Sequence, residues 1–371
     1  MSKLEVVTNE KIDQLIKDVK PNNVTSIDEF DEIDTVKVPP RIDAKAFEVD
    51  SKGEGAIPSF ITDLVQLACL DTEASPEGVA LNIIAYFSAL IGREKINYMT
   101  GNGPVDARPS ILVVGKSGSN KGISGYLVKR VFEDAQESIK HKTNFMPLNI
   151  REGGLNSGEG LIHSLRDASG DDEGIEDKRL LIIEPEFSKV LAVCNRDGAT
   201  LSGTLRNFHD GRDQTNVTRS NPSKCTRPHL VMLCHITKEE LLKKLKDTDK
   251  ENGFINRFMI CHTVQDRDVP NPKPVDEGNL KVMVGQLLSI IEWVEQGQTM
   301  IESGCFRKKM NAVYSKLRHP KGARAPLLTR TTIYARMLSM IFAVMEKKTT
   351  ITETHLDMAL VYLRYWWKSA S

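Results

Sequence analysis

The sequence has no surplus of either charge: 50 Lys and Arg balance 50 Asp and Glu over 371 residues. Gross basicity therefore offers no argument for nucleic-acid binding, and a self-solvating acidic chain is excluded, so any charged site must be local. Long apolar runs are also missing. The longest is about six residues, Met340 to Met345, far short of the ~20 that a membrane span needs. The opening MSKLEVVTNEKID lacks the apolar centre of a signal peptide, so a cytoplasmic protein with no membrane partner is expected. The six cysteines (69, 194, 225, 234, 261 and 305) form no CxxC and stand beside no paired His. That argues against a zinc site or disulfide framework and for buried free thiols. No internal repeat is apparent.

What is present begins with an acidic lead-in. Residues 1–50 hold twelve acids against seven bases, with Pro21, Pro39 and Pro40, and read as a weakly structured arm. From Ile57 to about Ile91, apolar residues recur at helical spacing, broken at Ser75-Pro76, and predict two helices. Three short apolar runs follow, Ser110–Val114, Arg179–Ile183 and His229–Cys234, each leading into a helical pattern. Strands alternating with helices predict an α/β fold with a parallel sheet. After Pro270-Asn-Pro-Lys-Pro the pattern is helical to the end, with helices expected over 282–295, 307–317, 329–347 and 355–367.

The chemistry starts where the first strand ends. Gly115-Lys-Ser-Gly-Ser-Asn-Lys-Gly-Ile-Ser124 lies between a hydrophobic strand and a helix start, as a phosphate-cradling loop requires. Gly115, Ser117, Gly118, Ser119, Asn120 and Gly122 would let backbone amides converge on an anion, and Lys121 would supply a point charge for the β/γ-phosphates. The match to GxxxxGK[ST] is imperfect. Asn120 stands for the second Gly and Gly122 for the Mg²⁺-binding hydroxyl, leaving Ser124 or Ser119 as substitutes. An ordinary turn between strand and helix is the competing reading.

About seventy residues later, the second strand runs into Glu184-Pro-Glu186, the spacing of a Walker B carboxylate pair. Glu184 would hold Mg²⁺, together with Ser124, and Glu186 would orient and deprotonate the attacking water. The third strand ends in Cys234-His235, where a ring ATPase places a polar γ-phosphate sensor, and Thr237-Lys-Glu-Glu240 reads as a capping box for the helix that follows. A satisfied core histidine is the plainer reading of His235. Further on, Arg257 sits between Phe254 and Phe258, a candidate arginine finger for a neighbouring subunit, and Arg330 or Arg336 could reach the nucleotide from a lid helix.

The ordered blocks GKSGSNKGIS, GGLNSGEGLIHSLRDA (153–168), RLLIIEPEFSKVLAVCNRDGATLSGTLRNFHDG (179–211), HITKEEL (235–241) and NGFINRF (252–258) resemble an uncharacterised family of phage, plasmid and genomic-island P-loop ATPases. Its members are often fused to, or encoded near, a primase-polymerase domain. The family usually carries Arg-Lys-Gly-Thr-Ser at the loop. Lys121, Gly122 and Ser124 match, whereas Asn120 replaces the Arg and Ile123 the Thr. The later arginine segments look like those of minichromosome-maintenance-type AAA+ replicative helicases.

That resemblance implies a three-layer αβα P-loop core over 101–270, preceded by an acidic arm (1–55) and a helical segment (56–100) and followed by a helical lid subdomain (271–371). It also implies a β-hairpin before the sensor strand, here 211–228, whose Arg212, Arg219, Lys224 and Arg227 would grip DNA phosphates against only Asp213. The implied protein is an ATP- and Mg²⁺-dependent DNA motor, the replicative helicase of a mobile element. It would assemble as a hexameric ring of identical chains on single-stranded DNA and work with a separate primase or initiator. A nucleotide-binding scaffold that assembles with such a primase or initiator remains the alternative, as does a defence or packaging ATPase. A second basic stretch, 303–329, carries seven Lys and Arg and no acid, and reads equally as a solvated helix and loop. Tyr362, Trp366 and Trp367 are expected to dock on the helical lid.

Overall fold

The computed structural model describes residues 41–47, 56–116, 122–140, 145–216, 222–246, 249, 252–265, 267–322 and 324–370. Two helices come first, α1 (Ser59–Cys69) and α2 (Pro76–Ile91). Ser75 starts α2 as predicted: its Oγ accepts the Gly78 N–H at 3.2 Å and Pro76 fills the first helical turn, where a missing N–H costs nothing. Fifteen of the sixteen residues of α2 are buried, so it runs through the interior rather than over the surface. Within its first turn, the buried Glu77 accepts Arg41 Nε at 2.5 Å and the Ile42 N–H at 3.2 Å, which pins residues 41–47 to the fold.

The chain then alternates: β1 (Ile96–Thr100), β2 (Gly103–Pro104), β3 (Ser110–Val114), α3 (Ile123–Lys140), β4 (Asn149–Glu152), α4 (Gly158–His163), β5 (Arg179–Glu184), α5 (Phe187–Cys194), α6 (Leu201–His209), β6 (Gln214–Asn216), β7 (Ser223–Cys225), β8 (His229–Ile236), α7 (Lys238–Lys244) and β9 (Phe258–His262). Five of these strands form one sheet in the order β4-β5-β8-β3-β9, every pairing parallel. β3 and β8 are buried along their whole length, which requires cover on both faces and explains why they read as unbroken apolar runs. The arrangement is α/β and compatible with a three-layer αβα fold. From β3 the chain crosses to the far edge strand β4, and from β8 it later steps over β3 to β9. The carboxyl end of β3 therefore lies at a reversal of strand order, where open parallel sheets form a crevice.

The last hundred residues give α8 (Glu277–Glu295), β10 (Gln298–Glu302), α9 (Gly304–Arg318), α10 (Thr331–Met345), β11 (Thr350–Ile351) and α11 (Glu353–Ser369). The expected helices are all there, but the expectation of helix alone needs correction. β10 pairs in parallel with β1 and with β11, so a second, four-stranded sheet in the order β11-β10-β1-β2 joins the segment before the core to the region after it. The C-terminal helices also pack on the core: α11 lies on β9 and α8 on α3. Ala325–Met345 is long and apolar enough to cross a bilayer, yet most of its apolar window is buried inside the fold. Trp366 meets Tyr334 edge to face at 5.1 Å and Trp367 Nε1 donates to Thr331 Oγ1 at 3.2 Å, so both indoles dock on α10 as expected.

Candidate functional site

The residues expected to hold nucleotide emerge from the carboxyl ends of three adjacent strands. Gly115 leaves β3 with its N–H donated to Ile236 O at 3.2 Å, Lys116 is exposed, and Gly122 precedes α3. Ser117, Gly118, Ser119, Asn120 and Lys121 lie outside the described residues. Glu184 is the last residue of β5, in register with Cys234 on β8, and its side chain is only 5% exposed. Its Oε1 accepts the Glu186 N–H at 3.1 Å. Gly153, at φ +69°, brings the loop after β4 against this carboxylate, where a Cβ would lie 3.8 Å from Glu184 Oε2. Glu186 is exposed and pairs with Lys189 at 2.7 Å, a solvated pair of little energetic weight. His235, buried, stands opposite Val113 on β8, between the Glu184 strand and the Gly115 strand. Cys234 beside it is fully buried, and burial followed by the Glu184 charge pushes its thiol well above the ordinary range.

Two expected members of this site are engaged elsewhere. Ser124 Oγ accepts the Ser75 N–H at 3.3 Å, and a Cβ at Gly78 would lie 2.7 Å from it, so the hydroxyl packs against the start of α2. A metal or nucleotide contact by Ser124 would have to share that hydroxyl. Arg336 Nε is bound to Glu302 Oε1 at 3.0 Å, an oxygen that also accepts Tyr98 OH at 2.5 Å. One half-turn earlier on α10, Tyr334 OH touches both Ser110 and the Arg257 carbonyl at the amino ends of β3 and β9. Arg336 is therefore engaged by the small sheet, through Glu302 of β10.

Arg257 is also at that opposite end, just before β9. Its Nε and a terminal nitrogen bind the two oxygens of Asp210 at 3.2 and 2.7 Å, and Arg330 binds Asp210 Oδ1 at 3.0 Å. Arg212, largely exposed, approaches the same carboxylate at 3.8 Å. Burial alone would raise the Asp210 pKa, but the Arg257 hydrogen bonds and the Arg330 charge outweigh it and hold the group below the ordinary value. Arg330 is pushed down by burial and then by Arg257. Alongside, Asp106 pairs with Arg93 at 3.2 Å and Arg108 at 2.9 Å. The five residues of β3 set this cluster roughly 13 Å from the Gly115 end. One chain cannot bring Arg257 or Arg330 to its own Glu184.

The expected hairpin is present: β6 and β7 pair antiparallel, Thr215 opposite Lys224. Its base is held by Asp167, whose N–H donates to Lys224 O at 2.7 Å and whose Oδ1 accepts the Thr226 N–H and hydroxyl, both at 3.0 Å. Lys224 is exposed. Arg227, at φ +49°, pairs with Glu94 at 3.1 Å through an exposed contact, and Arg219 lies outside the described residues. Asp167, Asp210 and Glu94 escaped the sequence reading because nothing local marks a carboxylate whose decisive partners, Thr226, Arg257 and Arg227, lie 59, 47 and 133 residues away.

No protein-family model matches the chain, and no curated protein matches it.

Proposed function

We propose that this chain is an ATP-hydrolysing, ring-forming DNA motor, the replicative helicase of a mobile genetic element. The observation that carries the reading is the convergence of Gly115, Glu184 and His235 at the carboxyl ends of three neighbouring strands, beside a reversal of strand order. In this reading the loop amides and Lys121 hold the triphosphate, Glu184 carries Mg²⁺, Glu186 orients the water and His235 senses the γ-phosphate. Arg257 acts on a neighbour's nucleotide. The separation of the arginine cluster from the chain's own Glu184 supports action between subunits, and the ring then has to draw Arg257 from Asp210. Arg212, Lys224 and Arg227 of the hairpin region, with Arg219, contact DNA phosphates without reading bases.

A second reading is favoured by one feature, the commitment of Ser124 to α2 beside an Ile at position 123. A loop that lacks the hydroxyl at position 123 and whose Ser124 is shared with another helix would hold Mg²⁺ less firmly, which suits a nucleotide-binding scaffold that assembles with a primase or initiator. ATP turnover by the purified chain, with and without single-stranded DNA, separates the two. The motor predicts DNA-stimulated hydrolysis that disappears in Lys121→Ala and Glu186→Gln. The scaffold predicts a nucleotide-dependent rise in Tm that Lys121→Ala removes, with no turnover in any condition.

A further inference from the structure

The cations on α3 are neutralised by acids of the same chain: Lys129, Arg130 and Lys140 lie within 3.4 Å of Glu152, Glu277 and Glu137 in turn. α9 differs. Residues 303–329 carry seven Lys and Arg and no acid, where the chain's average composition would place about four acids. The apolar side of α9, formed by Phe306, Met310, Val313 and Leu317, is buried, and the helix packs on α10 and α11. At 3.6 residues per turn the opposite side is one stripe, Arg307, Asn311, Tyr314 and Arg318, with Lys308 on its flank and Lys321 just beyond its end, all exposed. Lys309, off the stripe, is paired with Asp357 of α11. Among the described residues Lys308, Arg318 and Lys321 have no carboxylate partner, and Arg307 donates only to the Glu302 carbonyl at 3.0 Å. The Glu302 carboxylate, at the head of the helix, is taken by Arg336 and Tyr98. The helix itself gains nothing from these charges. Arg307 and Lys308 come directly behind a first turn that has no acid, at the end where the macrodipole disfavours cations.

We propose that the exposed face of α9 binds single-stranded DNA, as a contact additional to the hairpin, with Arg307, Lys308, Arg318 and Lys321 on phosphates and Tyr314 under an unpaired base. This rests on the proposed DNA-handling role but on none of its ATP chemistry. A polyanion supplies the charge that the face lacks, and its condensed counterions are released to solvent as these side chains replace them. The tyrosine decides between partners. Its ring is 42% exposed in the middle of the stripe, about 10 Å of helix rise from Arg307 and about 6 Å from Arg318. An acidic peptide offers it nothing to stack on and a duplex keeps its base faces covered, whereas a single strand presents one.

The test is fluorescence anisotropy of a labelled oligothymidine strand, and of a duplex of the same length, titrated with the full chain across a salt series. Arg307→Gln, Lys308→Gln, Arg318→Gln and Lys321→Gln combined keep helix propensity and alter no buried group, so Tm should hold. For the single strand, the slope of log affinity against log salt should become shallower by about two to three in that variant. Tyr314→Ala should weaken single-strand binding about tenfold at unchanged slope and leave duplex binding as it was, and Tyr314→Phe should behave as wild type. If the combined variant keeps the wild-type slope while Lys224→Ala changes it, the face is a solvated helix and the inference falls with the hairpin reading intact. If the slope drops but Tyr314→Ala has no effect, or polyglutamate competes as well as oligothymidine at equal charge, the face is a general surface for acidic partners and the inference is equally overturned. No binding of either DNA by wild type removes the inference together with the DNA reading beneath it.

Discussion

At the amino ends of β3, β8 and β9, arginines share carboxylates of the same chain: Asp210 holds Arg257 and Arg330, and Asp106 holds Arg93 and Arg108. At the carboxyl ends of the same sheet the polar groups have fewer such partners. Among the described residues Glu184 accepts one backbone N–H, Glu186 rests on the exposed Lys189, and His262 Nδ1 has no partner. The contrast separates an end whose charges are held by the chain itself from one whose groups are left open. Removing a carboxylate from a partly buried ion-pair cluster is costly, so Asp210 and Asp106 contribute to folding whatever else their arginines do. Groups held rigidly but left open read as a binding edge.

The largest expected effect breaks the carboxyl end alone. Under the proposed motor, Glu186→Gln should lower ATP turnover about a thousandfold while leaving the thermal unfolding midpoint unchanged, measured side by side on one preparation. The converse holds at the other end, where Asp210→Asn leaves two arginines facing one another. It should cost about 3 kcal/mol in urea unfolding. The wild-type Asp210 contribution has a defined pH dependence: its folded pKa is lowered, so the stabilisation is complete above the ordinary carboxylate value and is lost as pH falls through the depressed one. Unfolding curves for wild type and Asp210→Asn should therefore stay parallel down to the ordinary carboxylate value of about 3.9 and converge only below it, and convergence already complete above it would refute the pairing.

Smaller still, Tyr334→Phe removes a hydroxyl shared by Ser110 and the Arg257 carbonyl and should cost about 1–2 kcal/mol. An effect on ATP turnover beyond that loss of stability would mean that the two ends are coupled within one chain. Least of all, Lys224→Ala should reduce the slope of log affinity for single-stranded DNA against log salt by about one, equally for all sequences. A slope unchanged within error would remove Lys224 from the proposed DNA surface.

The strands that organise the sheet were legible because burial leaves near-continuous apolar runs in the middle of β3, β5 and β8. β4 (Asn149–Glu152) was not, since an edge strand with exposed Arg151 and Glu152 has no such pattern. β1, β10 and β11 are too short and mixed to separate from helix by period, and only their mutual pairing makes them strands. Glu184 was legible from its position after an apolar run. The direction of Ser124 was not, because it depends on Gly78 leaving room for a hydroxyl from another helix.

The parallel pairing of Tyr98 with Met300 spans about two hundred residues. Closing so long a loop carries a large entropic cost before any contact repays it, which slows folding. During synthesis β1 emerges long before its partner, with one edge protected only by the two-residue β2 and the other open. The core sheet can assemble in that interval, but the edge of β1 stays available to other chains until β10 arrives. The same strand that ties the two halves of the molecule together is thus its point of greatest exposure to aggregation while it is being made.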